Sequence, residues 1–472
     1  MRTAAWFLIA ATCLSAQSKI ERKGLAPVSR EVLRVKLPKA AEFKLDNGLT
    51  VLVIEDHKLP LVTLRWIVQG AGALNDPRDV PGLASFTAAM LREGTSSRTS
   101  KQIAEDSDRL GAAITPTAPW ASDSVTVAMS GLSDNLPDWL ALGADVLLHP
   151  VFLETELNKL KQRQKALLQQ NRSSPNFLIG ERWNKAIYGD HPASITAPTP
   201  QSIDAITPVM LKQWHEVRYA PQNAILGVSG DVRPAELRSL LTKLLIWRPN
   251  QFAQPDTPQT KPVVGRKIYL VDRPGAVQTD VYLGNIAVRR TDPDYIPLTV
   301  MNHVLGGAAS SRLFVNLREE HGYTYGAYSF LIARKYAGPW LGLANMRTDA
   351  TEGAMTEFLK EIDRIRDQPV PEGELEEHKR ALVAGFALSL EDPNELLDFA
   401  ITQKLYGFPA DYWDNYPARL SAITAEQVTR AAKKYLQPEN LQIVAVGDAA
   451  KVKPVLDKLG TVLVYDAQGS RK

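Results

Sequence analysis

Histidine is the side chain best suited to hold a metal or move a proton near neutral pH. This chain has seven: His57, His149, His191, His215, His303, His321 and His378. No two stand three or four residues apart, the spacing that would align them on one face of a helix. Taken singly, they read as surface residues or as polar groups satisfied within the fold, and no zinc site follows from them. Thiol chemistry is excluded as well. The single cysteine, Cys13, falls in a segment expected to be removed, so there is no disulfide framework, no thiolate metal site and no thiol nucleophile. Gly306-Gly307 lacks the Gly-Lys-Ser/Thr ending of a phosphate loop. Lysine and arginine number 55 against 52 acidic residues, a balance of +3 with no basic run, which excludes a nucleic-acid footprint. A chain of 472 residues, 44% hydrophobic and 23% charged, has the balance of a soluble, core-forming protein of several domains.

The elements that must position any site are mixed. Phe43 to Glu55 places Asn47-Gly48 between apolar runs, a hairpin signal. Leu61 to Val68 reads as a buried strand, and Ser124 to Ser130 alternates like another. Leu83 to Arg92, Lys101 to Leu110, Leu136 to Leu148 and Thr155 to Gln170 read as helices. Pro208 to Val217 is a helix followed by the strand Ala224 to Ser229, and the same unit returns as Ala425 to Tyr435 and Leu441 to Val446. Long helices beside antiparallel-type strands predict α+β layers.

The chain repeats itself. Tyr188-Gly189 recurs as Tyr406-Gly407, Ala205-Ile206-Thr207 as Ala422-Ile423-Thr424, Asn223 as Asn440, Gly230-Asp231 as Gly447-Asp448, and Asp76-Pro77 as Asp292-Pro293. The offsets run from 216 to 218. A period that long means a duplicated domain, not a solenoid. The expected division is a first α+β domain over residues 41–249, a Pro/Gln/Thr-rich linker over 250–264 and a second α+β domain over 265–466. Ahead of them, residues 1–17 read as a secretory signal peptide, with Arg2 before an apolar stretch too short to span a membrane. The alternatives there are a buried N-terminal helix and a lipid on Cys13. Residues 18–40, charged and with two prolines, read as an extended lead-in. Export, in a bacterium to the periplasm, is the expected localisation.

Two windows carry a resemblance. The first is Gly82 to Thr95, GLASFTAAMLREGT. It resembles the signature of the pitrilysin–insulinase zinc peptidases, the inverzincins, whose helix bears H-x-x-E-H ahead of a Gly-Thr pair. In that motif two histidines face one zinc ion and the glutamate activates the bound water. Here the frame remains as Gly82, Phe86, Met90 and Gly94-Thr95. Ser85 and Ala89 stand at the histidine positions and Ala88 at the glutamate position. The family's third ligand, a glutamate on a later helix, corresponds to Gln170. The resemblance therefore implies a degenerate zinc motif and no metal or cofactor in this chain.

The second window is Gly306 to Ser329, GGAASSRLFVNLREEHGYTYGAYS. It looks like the family's C-terminal-half signature, in which an arginine and a tyrosine seven residues apart reach substrate held at the zinc. Arg318 and Tyr325 have that spacing. A guanidinium can donate two hydrogen bonds to a substrate carbonyl, and a phenol one to a developing oxyanion. The bland alternative is a helix-face arginine and a strand tyrosine half buried in a sheet. Tyr323 and Tyr328 read as packing or surface residues. The family's substrate-pairing edge strand corresponds to Gly111 to Ala118, where Pro116 removes a backbone donor; an edge blunted against aggregation explains that proline equally well.

Together these features imply a half-shell of two similar domains, each a mixed or antiparallel sheet packed with helices. They imply a non-catalytic subunit of a heterodimeric periplasmic zinc metallopeptidase. It would supply Arg318 and Tyr325 in trans to an unfolded peptide, with zinc held by a partner that keeps H-x-x-E-H. The alternatives are a zinc-less binding or assembly subunit, like the family's core proteins of the respiratory bc1 complex, and an autonomous peptidase with unorthodox ligands.

Overall fold

The computed structural model describes residues 35–472; the expected signal peptide at residues 1–17 and the expected lead-in as far as residue 34 lie outside the described residues. The first half runs β1 (Ala41–Lys44), β2 (Thr50–Glu55), β3 (Leu61–Gln69), α1 (Leu83–Met90), α2 (Ser100–Leu110), β4 (Ala113–Thr117), β5 (Ser124–Leu132), α3 (Leu136–Leu148), α4 (Glu154–Asn171), α5 (Pro175–Tyr188), α6 (Pro200–Ala205), α7 (Pro208–Arg218), β6 (Ala224–Gly230) and α8 (Pro234–Leu244). The second half runs β7 (Lys267–Asp272), β8 (Gln278–Ile286), α9 (Tyr295–Leu305), α10 (Arg312–Phe314) continuing into a π-helical turn at Val315–Glu320, β9 (Thr324–Leu331), β10 (Pro339–Arg347), α11 (Thr351–Asp367), α12 (Glu372–Ser389), α13 (Pro393–Tyr406), α14 (Tyr416–Ser421), α15 (Ala425–Tyr435), β11 (Gln442–Gly447), α16 (Ala449–Leu456) and β12 (Val462–Tyr465). This is the α+β duplication that the sequence predicts, and each helix and strand named above from periodicity begins and ends within about two residues of its place, the usual uncertainty of a boundary.

Each half builds one six-stranded sheet, with orders β1-β2-β6-β3-β5-β4 and β12-β7-β11-β8-β10-β9. The two orders superimpose position by position, except that the first edge is filled from the chain's beginning and the second from its end. β1 therefore pairs antiparallel with β2, while β12 pairs parallel with β7.

The residues that betray the repeat do local work twice. Thr207 and Thr424 cap α7 and α15, each accepting a hydrogen bond from the backbone N–H three residues on. Asp76 accepts from the N–H groups of Gly82 and Ala84 at the start of α1, and Asp292 from that of Asp294 at the start of α9. Gly189 and Gly407 stop α5 and α13 at positive φ.

Alternation along β3 splits its side chains between two faces. Val62, Leu64, Trp66 and Val68 enter the main core of the first half, with α1, α3 and α7 above them. The other face is closed by a helix from the second half. Leu396, Leu397 and Ile401 of α13 pack on Leu52, Ile54 and Ile225. The arrangement is reciprocal: Leu178, Ile179, Trp183, Ala186 and Ile187 of α5 pack on Val271, Leu341, Val444 and Val446 of the second sheet. Gly227 of β6 makes room for α13, since a Cβ there would meet Ile401 Cδ1 at 2.6 Å. Arg65 of β3 pairs with Asp398 of α13. Near the same seam, Lys335 Nζ donates to Asp123 Oδ2 at 2.6 Å and to Gln69 Oε1 at 2.8 Å, and Tyr336 Oη donates to the Ala121 carbonyl at 2.9 Å. Residues 250–264 carry no helix or strand and run between the halves. Asn223 Nδ2 donates to the Phe252 carbonyl, the His191 ring bonds the Pro258 carbonyl, and Thr260 Oγ1 donates to the Ala337 carbonyl.

Trp183 belongs in sequence to the first half and in packing to the second. Its removal leaves a void against Tyr282 and Gly284. Trp183→Ala is expected to cost about 3–5 kcal/mol. Urea denaturation followed by tryptophan fluorescence and by circular dichroism checks it. One coincident transition, shifted to lower urea, is expected because the exchanged helices couple the halves.

Candidate functional site

α1 carries Ser85, Ala88 and Ala89, which offer neither imidazole nor carboxylate. Ser85 and Ala89 are four residues apart, on one partly exposed stripe of the helix, while Phe86, Ala88 and Met90 are buried. Ser85 Oγ donates to the Ala118 carbonyl at 3.0 Å, which ties α1 to the end of β4. Ala88 and Ala89 offer methyl groups. Gln170 is exposed in the last turn of α4. It lies two turns from Arg163, whose guanidinium reaches Glu93 just beyond α1, so both occupy one face of α4. A hydroxyl already committed to a carbonyl, two methyls and a neutral amide do not fit zinc, which takes imidazole, thiolate or carboxylate. Among the described residues, no group of three or more His, Cys, Asp or Glu side chains is placed to hold a metal ion.

The frame of the motif persists for reasons of packing. Phe86 and Met90 belong to the core of the first half. Thr95 Oγ1 donates to Asp145 Oδ2 at 2.7 Å, beside Arg98, which pairs with the same carboxylate. Asp76, under the N-terminus of α1, is deeply enclosed. Burial pushes its carboxyl up to about 7 against the opposing pull of the Ala84 and Gly82 N–H groups and of Arg218.

The second window has the opposite character. Arg318 sits in the π-helical turn and Tyr325 near the start of β9, an edge strand of the second sheet. Both face solvent: the Arg318 side chain is 47% exposed and Tyr325 84%. A tyrosine half buried in the sheet is therefore not what the structure contains. Each residue lies at a backbone irregularity. In the helix, the His321 N–H reaches back five residues to the Asn316 carbonyl at 3.2 Å. In the strand, the register passes from Ala344↔Ala327 to Met346↔Thr324, so Tyr325 and Gly326 together oppose Asn345. That is a β-bulge, a device that re-aims a side chain. The Arg318 guanidinium lies 4.7 Å from the Phe314 ring, with Glu319 3.6 Å away, and makes no side-chain hydrogen bond among the described residues. Tyr323 stacks on His321, and Tyr328 packs on Phe314. β4, the counterpart of β9, is the edge of the first sheet, with Pro116 opposite Val127.

Beneath the π turn is a polar layer that sequence spacing did not reveal. Arg312, 7% exposed, donates from Nε and Nη2 to the two oxygens of Glu374 on α12 at 2.7 and 2.8 Å. Asn316 Nδ2 donates to Glu357 at 3.0 Å and to Glu361 at 2.9 Å on α11. The hydrogen bond from Asn316 and the neighbouring Lys360 hold the Glu357 carboxyl below its usual range. His303 of α9 and His378 of α12 meet Nδ1 to Nδ1 at 2.8 Å. Seventy-five residues separate them, so no helical spacing could have paired them. Burial, with His378 alongside, pushes His303 down to about 4, and burial lowers His378 too.

Comparison with known proteins places both halves. Residues 50–200 match the family model described as "Insulinase (Peptidase family M16)", and residues 205–382 the one described as "Peptidase M16 inactive domain". A relative from Mycobacterium leprae, named an uncharacterized zinc protease, is 26% identical over 89% of this chain and 92% of its own length. A Helicobacter pylori relative named "Non-peptidase homolog YmxG" is 21% identical over 85% of this chain and 93% of its own. The crystal structure of a peptidase M16 inactive domain from Pseudomonas fluorescens matches with a TM-score of 0.79 and 27% identity, over 87% of this chain and 98% of that one.

The histidine pair predicts a pH dependence. Both groups titrate below the 6.5 of an unperturbed histidine, so between pH 6.5 and about 4 the unfolded chain binds more protons. Stability is thus full above pH 6.5 and falls as the pH falls. His303→Phe/His378→Leu is expected to flatten part of the decline of Tm over that window, the buried His215 supplying another part. Thermal scans from pH 7 to pH 4.5 measure it.

Proposed function

The chain belongs to the insulinase (M16) peptidase family, and from that premise we propose that it is the non-catalytic subunit of a heterodimeric periplasmic zinc metallopeptidase. A partner with intact H-x-x-E-H would hold the zinc and activate the water. This chain would supply Arg318 and Tyr325 to the bound peptide and help to enclose it. The observation that carries the reading is an asymmetry within one molecule. The zinc-side positions are Ser85, Ala88, Ala89 and Gln170, with no donor set for a metal, whereas Arg318 and Tyr325 are solvent-facing and held at irregular backbone. A guanidinium there suits the carbonyl of the scissile peptide, and a phenol suits the oxygen that gains charge as water adds. Pro116 in β4 agrees with a chain that does not itself pair the substrate strand. The apolar leader at residues 1–17 supports export, and no described helix is long and apolar enough to cross a membrane.

The name of the Helicobacter pylori relative favours a second reading, a zinc-less binding or assembly subunit without a part in proteolysis. The two readings differ at Arg318. The test co-expresses the full chain with a family member that keeps H-x-x-E-H and assays cleavage of an unstructured peptide. Under the first reading, the pair cleaves, a zinc chelator abolishes cleavage, and this chain alone is inactive. Arg318→Ala lowers kcat/KM by about 100-fold or more while co-purification is unchanged. Activity indifferent to Arg318 would favour the assembly reading.

A further inference from the structure

Arg318 and Tyr325 each depend on one extra residue in otherwise regular backbone, and a buried polar side chain holds each irregularity in place, Thr324 by bonding across it and Asn316 by anchoring it to a neighbouring helix. In the strand this is Thr324. Its Oγ1 accepts the Gly326 N–H at 3.0 Å. It also faces the carbonyls of Gly326, at 2.9 Å, and of Asn345, and donates its proton to one of them. The hydroxyl thus spans the two bulged residues and the single residue opposite. In the helix the side chain is Asn316. Its backbone carbonyl, not its side chain, takes the His321 N–H at 3.2 Å and the His321 ring Nδ1–H at 3.0 Å and closes the wide turn. Its amide is fixed to Glu357 and Glu361 of α11, the latter 3% exposed. A π turn and a bulge are both costly departures from regular hydrogen bonding, and they concentrate where a side chain must be aimed.

Resting on the function proposed above, we propose that Thr324 and Asn316 are positioning residues: Thr324 aims Tyr325 and Asn316 aims Arg318. Neither touches substrate. Thr324 is 9% exposed and Asn316 6%, so each acts through its neighbour. The two act on separate backbone segments, which makes their effects separable. Thr324 is coupled to Tyr325 through the adjacent peptide. Asn316 is coupled to Arg318 through two residues of the same turn.

A double-mutant cycle in the assembled pair tests this, with full-length chains throughout. Thr324→Val keeps the shape and removes the hydroxyl. Its expected result is a fall in kcat of about tenfold with KM nearly constant, as a reacting group is displaced by a fraction of an ångström. Thr324→Ser, which keeps the hydroxyl, is expected to restore most of the rate. On a Tyr325→Phe background, Thr324→Val should add little further loss, because the group it aims is already gone. Asn316→Leu should behave likewise on an Arg318→Ala background. Hydrogen exchange at the Gly326 amide provides a readout that does not depend on activity, and it should quicken in Thr324→Val. Equal losses in both backgrounds, or no rescue by serine, would overturn the proposal. Quickened exchange with an unchanged rate would show that Thr324 merely staples the strand, and would overturn it too. If Tyr325→Phe and Arg318→Ala themselves leave the rate unchanged, the functional reading fails, and the positioning roles fall with it. That outcome is distinct from one in which those two variants are crippled and the cycle shows no coupling.

Discussion

Each sheet in this protein has two apolar faces, and the helices that follow its own strands cover one of them. The opposite face of the first sheet is closed by α13 from the second half, and that of the second sheet by α5 from the first. Leaving either face in water would expose a row of side chains each worth about 1.5–3 kcal/mol in burial. The exchange therefore decides more than local packing. It fixes how the halves meet, and it explains why Gly227 must lack a side chain and why Arg65 finds its carboxylate 333 residues away. The tie of Lys335 to Asp123 and the irregular run across residues 250–264 complete a join already imposed by the exchanged helices.

On this frame the two halves carry equivalent positions with unequal chemistry. α1 retains what packing requires: a buried Phe86 and Met90, a capping Asp76 and a Thr95 fastened to Asp145. The stripe that would face a metal holds only a serine bonded to a carbonyl and an alanine. The helix is held by its buried side and needs nothing from that partly exposed stripe. The equivalent region of the second half does the reverse. Its helix is widened and its edge strand bulged, and the two exposed polar groups stand at those points.

The polar layer under the π turn has a physical rationale. The wide turn keeps its own backbone bonded, the His321 N–H to the Asn316 carbonyl and the Tyr323 N–H to that of Leu317. Arg312 with Glu374, and Asn316 with Glu357 and Glu361, moor it through side chains to two neighbouring helices. The His303–His378 contact adds a pair of neutral imidazoles at the same level. One ring must donate and the other accept, so the pair persists only while one shared nitrogen lacks a proton.

The sequence by itself determined the α+β class, the duplication and the ends of many elements, since alternation, helical periodicity and capping residues act over a few neighbours. It also placed Ser85, Ala88 and Ala89, none of them an imidazole or carboxylate, within five residues of one helix. A resemblance to a family signature, and not spacing alone, singled out Arg318 and Tyr325. The tertiary structure alone decided which helix covers which sheet, since α5 and α13 look like ordinary members of their own halves. It decided that His303 and His378 touch and that Thr324 holds a bulge. It also decided that Tyr325 stands in solvent when a strand pattern would half bury it. These outcomes depend on contacts between residues tens to hundreds of positions apart, and on one extra residue in a strand or turn. Neither leaves a period in the sequence.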